Sequence, residues 1–96
     1  DLARYLELVA SRPAEIFGLS RKGRLEPGAD ADFVVFDQEA EWTVDGDATH
    51  YAVGWSPYHG RPVRGRVVST WLRGRCIYRD GDVVAEPGAG RFVGPD

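Results

Sequence analysis

Residues Arg66–Val84 read RVVSTWLRGRCIYRDGDVV, and this stretch decides the fold. Val67, Ser69 and Trp71 alternate with Val68, Thr70 and Leu72, a period of two whose rows both suit a pleated surface. Arg73-Gly74 reads as a tight turn, Arg75 to Arg79 as a second strand, Asp80-Gly81 as a second turn and Asp82 to Ala85 as a third strand. Asp-Gly between two short β-prone runs is the strongest hairpin signal in the chain. The segment predicts an antiparallel meander.

Upstream, Ala31 to Asp37 (ADFVVFD) is a short apolar run rich in Phe and Val, entered through the turn chemistry of Glu26-Pro-Gly-Ala-Asp30. Its length and β-branched content predict a buried strand, with Asp30, Asp32 and Asp37 keeping the strand ends in water. Residues 45 to 64 show little periodicity and read as a long connecting loop. Within it, Trp55–Arg61 (WSPYHGR) carries one of the two histidines. Pro57 fixes φ and Gly60 permits a sharp bend, so the word reads first as a shaped turn and only second as a place where His59 meets substrate.

At the start, Leu2, Tyr5, Leu6 and Val9 recur at helical spacing and predict a helix over Leu2 to Ala10. Ser11 is placed to cap a second short helix with Pro13 in its first turn, ending at Gly18. The end, EPGAGRFVGPD (residues 86–96), reads as a surface tail. The expected class is therefore α+β, short helices followed by a meander.

The totals narrow the function. At 96 residues, 43% hydrophobic and 28% charged, the chain has the makings of one small globular core. A formal charge of −3 argues against a nucleic-acid binder. No apolar run approaches the roughly 20 residues of a membrane span. The single cysteine, Cys76, cannot close an internal disulfide, which favours a reducing, cytoplasmic compartment. The chain has no methionine and opens on Asp1, so the expectation is a piece of something longer.

Taken in order, RPAEIFGL, GRLEPGADADFVVFD and GRVVSTWLRGRCIYRDGDVV resemble the C-terminal end of the cyclic-amide hydrolases of the amidohydrolase superfamily, the group of dihydroorotases, hydantoinases and allantoinases. The resemblance spans about residues 2 to 93, and SPYHGR followed by RGRVVSTWLRGRCIYRDG is most similar to allantoinase. Arg12 departs from it, standing where many relatives carry Asn. The resemblance implies a metal-bearing (β/α)₈ barrel beside a β-sandwich built from both chain ends. Residues 1–20 would be terminal helices after the barrel, and 21–96 the C-terminal part of the sandwich. It implies a parent using zinc, as one or two divalent ions, on a ureide such as allantoin. The implied partners are the remainder of the parent chain and further copies of itself, with no nucleic acid or membrane.

Opening an unactivated ring amide calls for a strong nucleophile and charge stabilisation at oxygen, which bound metals supply. The resemblance implies a His-x-His pair, a modified lysine, two more histidines and an aspartate. This chain has only His50, His59 and Lys22, with no His-x-His, so a site of at least three protein ligands cannot be assembled. Ser11, Ser20, Ser56 and Ser69 lie in no Gly-x-Ser-x-Gly elbow. Cys76 reads as a structural thiol, the alternative being an arginine-activated thiolate. GAGRFVG (residues 88–94) has no following helix to hold a phosphate. No catalytic, cofactor-binding or metal residue is therefore assigned here. The basic run Arg61, Arg64, Arg66, Arg73, Arg75 and Arg79 is expected to pair with the acidic run Asp30, Asp32, Asp37, Glu39, Glu41, Asp45 and Asp47. The second functional reading is a non-catalytic β-module that acts by association.

Overall fold

A computed structural model describes residues 1–96. Leu2–Leu6 is α-helical, Glu7–Ser11 continues as a π-helical segment, and Arg12–Ile16 returns to α, so the three form one unbroken helix, α1. The expected break at Ser11 is absent: Ser11 has helical φ and ψ (−69°, −44°) and caps nothing. The cause lies at Pro13, whose ring crowds the preceding turn and whose N–H is missing. The helix widens by one residue just ahead of it, with the Arg12 N–H donating to the Glu7 carbonyl. Ion pairs Arg4–Glu7 (2.8 Å), Arg12–Glu7 (3.0 Å) and Arg12–Glu15 (2.9 Å) run along this widened stretch. The Arg4 and Arg12 guanidiniums hold the Glu7 carboxyl below its usual range. Asp1 caps the start through Oδ1, which accepts the Arg4 N–H. Gly18 (φ +69°) closes the end as expected, its N–H on Glu15 O and the Leu19 N–H on Ala14 O.

Four strands follow, β1 (Phe33–Thr43), β2 (Pro62–Leu72), β3 (Arg75–Arg79) and β4 (Asp82–Val83), in one antiparallel sheet of order β1-β2-β3-β4. Both meander turns form where the sequence places them. Arg73 and Gly74 (φ 47° and 78°), then Asp80 and Gly81 (φ 49° and 91°), occupy the two positive-φ positions of two-residue hairpins. The strand expected to end at Asp37 runs on through Gln38–Thr43, and the long loop expected to reach Arg64 ends sooner because β2 begins at Pro62. Irregular pairing hides this from a period-two reading: the register shifts between Val35 and Phe36 and again between Asp37 and Glu41.

The second irregularity turns on Gly65. It has φ +103°, and a Cβ there would stand 2.6 Å from Phe36 Cζ. The Phe36 ring thus lies over the glycine, while Trp42 Nε1–H donates to the Gly65 carbonyl (2.8 Å). Two aromatic rings cover one bare backbone.

The helix and the sheet do not pack against each other. The radius of gyration is 15.4 Å, against about 12.5 Å for a compact chain of this length. The accessible surface is 7646 Å², where a folded monomer of this mass exposes about 5,500 Å². Ala14 is the one buried apolar side chain. Val35 is exposed, and Phe33, Val68, Leu72 and Ile77 are only half-buried, so the strand expected to be buried at Ala31–Asp37 is not buried within this chain, because no second layer lies against the sheet.

Gly65→Ala is expected to cost about 2 kcal/mol or more, adding left-handed strain to a clash with Phe36. Gly28→Ala, at φ +95° with nothing near its Cβ, is expected to carry the strain alone. Urea midpoints of the two variants separate the terms, and equal losses would remove the role given to Phe36.

Candidate functional site

The most organised polar cluster joins the segment after the helix to the sheet. Lys22, the chain's only lysine, places Nζ 2.9 Å from Asp30 Oδ2 and 2.5 Å from Asp32 Oδ2. Arg21 Nη2 adds a contact of 2.8 Å to Asp30 Oδ1. The other oxygen of Asp32, Oδ1, accepts the Arg73 N–H at 2.8 Å, and the Gly74 N–H donates to the Ala31 carbonyl. One carboxylate therefore binds a lysine and the tip of the β2–β3 hairpin together. Gly23 permits the arrangement: a Cβ there would meet Ala10 O and Ala14 Cβ at 2.7 Å.

This corrects the expectation that Asp30 and Asp32 merely keep the strand end in water. Both are substantially covered, at 15% and 28% side-chain exposure, as is Lys22 at 17%. Burial pushes the Asp32 carboxyl up, but the Lys22 ammonium and the Arg73 amide outweigh it and hold the group below its ordinary value. Lys22 likewise holds Asp30 down, and the two carboxylates hold Lys22 up. The lone lysine eight and ten residues from two aspartates was the available signal. What the sequence does not reveal is that the hairpin tip folds back onto Asp32.

The second organised element is the WSPYHGR turn. His59 Nδ1 accepts the Gly46 N–H (2.9 Å), which leaves the ring proton of the neutral form on Nε2. Ser56 O accepts the His59 N–H, Ser56 Oγ accepts the Tyr58 N–H, and the Gly60 N–H donates to Val44 O. The imidazole ties this loop to the 3₁₀ turn Gly46–Ala48, as the turn reading requires. His50 serves another loop, with Nε2 3.1 Å from Gly81 O and its ring edge-on to Tyr78.

No three His, Cys, Asp or Glu side chains converge to hold a metal ion, and each histidine is engaged with backbone. The residues present thus do not fit the metal set that the resemblance implies. The half-buried Cys76 thiol donates to Tyr78 O (3.3 Å). The cavity beside the helix end, of about 380 Å³, is lined by Ser11, Glu15, Ser20, Lys22 and Asp96 among others, and no hydrogen bond joins either serine hydroxyl to a base. The expected pairing of the arginines with the acidic run is realised only by Arg64–Glu39. Arg66 and Arg79 instead lie over Trp42 (5.8 Å) and Trp71 (5.6 Å).

A family model described as "Amidohydrolase family" matches residues 1–78. The chain belongs to the amidohydrolase family. This member is 42% identical over 94 residues to a D-hydantoinase of Ralstonia pickettii, covering 97% of this chain and 21% of that protein. It is 40% identical over 93 residues to a dihydroorotase of Pyrococcus abyssi (97% and 23%). It is 46% identical over 92 residues to an allantoinase of Rubrobacter xylanophilus (96% and 20%). The crystal structure of a dihydropyrimidinase from Brevibacillus agri superposes with a TM-score of 0.90 at 33% identity, over 97% of this chain and 20% of that one. The relatives are cyclic amidohydrolases, and this amidohydrolase chain spans about a fifth of their length.

Two outcomes follow. Asp32 has its pKa depressed, so its stabilisation is present above the unfolded carboxylate range and lost as pH falls below about 3.8. Lys22 has its pKa raised, so its share is present below about 10.5 and lost above. Asp32→Asn is expected to flatten the acid side of the stability–pH curve, measured by thermal unfolding from pH 2 to 7. His59→Ala is expected to cost about 1 kcal/mol and to speed hydrogen exchange at Gly46. His59→Asn, whose Oδ1 can accept the same N–H, is expected to recover most of both.

Proposed function

We propose that these residues form the C-terminal part of the β-sandwich domain of a metal-dependent cyclic amidohydrolase, and that their contribution is structural. The observation that carries this reading is the bare sheet. Val34, Val35 and Phe36 are 53%, 44% and 50% exposed, so both rows of β1 face outward without cover. Covering such side chains fully is worth about 1.5–3 kcal/mol each, which makes the uncovered surface a seat for further chain. The remaining layer is read as N-terminal strands completing the sandwich, beside a (β/α)₈ barrel that holds one or two zinc ions through residues outside these 96.

For the whole protein the reading is opening of a cyclic amide, with allantoin to allantoate placed first. Ser56-Pro57-Tyr58-His59-Gly60-Arg61 and the 46% identity to the Rubrobacter allantoinase support that choice. Hydantoin and dihydroorotate stand beside it, supported by relatives of the same similarity.

The whole polypeptide, supplied with zinc, is expected to hydrolyse one of allantoin, hydantoin and dihydroorotate, while residues 1–96 alone hydrolyse none. A whole protein that opens no ring would leave an association module in place of an enzyme. The 96-residue chain is also expected to bind a hydrophobic dye and to self-associate. A monomer with dispersed amide resonances and no dye binding would contradict the uncovered seat.

A further inference from the structure

The two faces of the sheet differ in chemistry. By register Val34, Thr70, Tyr78 and Val83 share one face, which is largely apolar. Phe33, Val35, Ser69, Trp71 and Arg79 share the other, as do Asp37 and Arg66, which stand opposite each other across β1 and β2. On this second face Phe33 and Trp71 stack at 5.6 Å and 11°, and the Arg79 guanidinium lies over the indole. Arg66 lies over Trp42 in the same manner.

Neither arginine has a carboxylate partner. Asp37 Oδ1 accepts the Glu39 N–H instead of meeting Arg66. Held over a ring and joined to no acceptor in the chain, each guanidinium keeps its N–H donors free, in the fork that a carboxylate accepts bidentately. Resting on the reading that these residues seat further chain of the same polypeptide, we propose that the Arg79–Trp71–Phe33 and Arg66–Trp42 stacks dock a carboxylate-bearing segment of that remainder.

Charge complementarity selects this occupant. A second copy joined through the same face would set Arg66 and Arg79 against themselves, with Asp37 as the acid on that face. The matched relatives carry about four-fifths of their length beyond the stretch this chain covers, so a supply of other segments exists in proteins of this kind. The opposite face, largely apolar and without a cation among Val34, Thr70, Tyr78 and Val83, suits a dry second layer better than a carboxylate.

The test compares Arg66→Ala with Arg79→Ala, made together, in two contexts. In residues 1–96 alone the pair is expected to remove only the two cation–π contacts, with little dependence on salt. In the whole polypeptide it is expected to lower the midpoint by about 2–4 °C, with the loss shrinking between about 0.05 and 0.5 M salt. Equal losses in both contexts, or a loss indifferent to salt, overturn the proposal. So does a dimer of residues 1–96 that the substitutions dissociate in sedimentation, because the occupant would then be a second copy. Should the alanine pair fail to fold in the whole protein, Arg66→Lys with Arg79→Lys gives the same comparison. The readout is unfolding, so a whole protein without ring-opening activity leaves the result readable.

Discussion

The Asp32 carboxylate holds this chain together. One oxygen binds the Lys22 ammonium and the other accepts the backbone N–H at the tip of the β2–β3 hairpin. Helix and sheet share no packed surface, so their relation passes through residues 19–32 and this charge-assisted contact. The partners are substantially covered, and such bonds are stronger than neutral ones. The tail adds two pins, with the Arg73 guanidinium on Ala89 O and the Asp96 N–H on Gly18 O. Polar pins here hold what apolar packing holds in most small domains.

That arrangement explains the shape. A chain with one buried apolar side chain has little core of its own, and its surplus surface lies on the sheet faces and the helix. Turn geometry, bulges and ion pairs give it local definition all the same. The chain belongs to the amidohydrolase family and spans about a fifth of the relatives' length, and its local structure is specified even where its apolar surface is uncovered.

The backbone turns were legible because their chemistry is local. Asp80-Gly81, Arg73-Gly74 and Gly18 each place a residue with positive φ where the chain must reverse or stop. The helix was legible in its face and not in its continuity, since a π-helical segment lets Pro13 sit inside it. The extents of β1 and β2 were hidden by bulges that break the alternation a strand reading relies on. Among polar residues, the turn role of His59 followed from Pro57 and Gly60 beside it. The pairing of Lys22 with Asp30 and Asp32 did not, since acids at a strand entrance look solvated until a lysine folds over them.

The sequence by itself determined the order of elements, both meander hairpins, the α+β class and the family, because these rest on short-range backbone preference and on runs of words. Tertiary structure alone decided which charges meet. Arg64 finds Glu39, Lys22 finds two aspartates, and Arg66 and Arg79 lie on indoles rather than acids. Register shifts of a residue or two set those partners, and a shift of one residue in a strand turns a side chain to the opposite face.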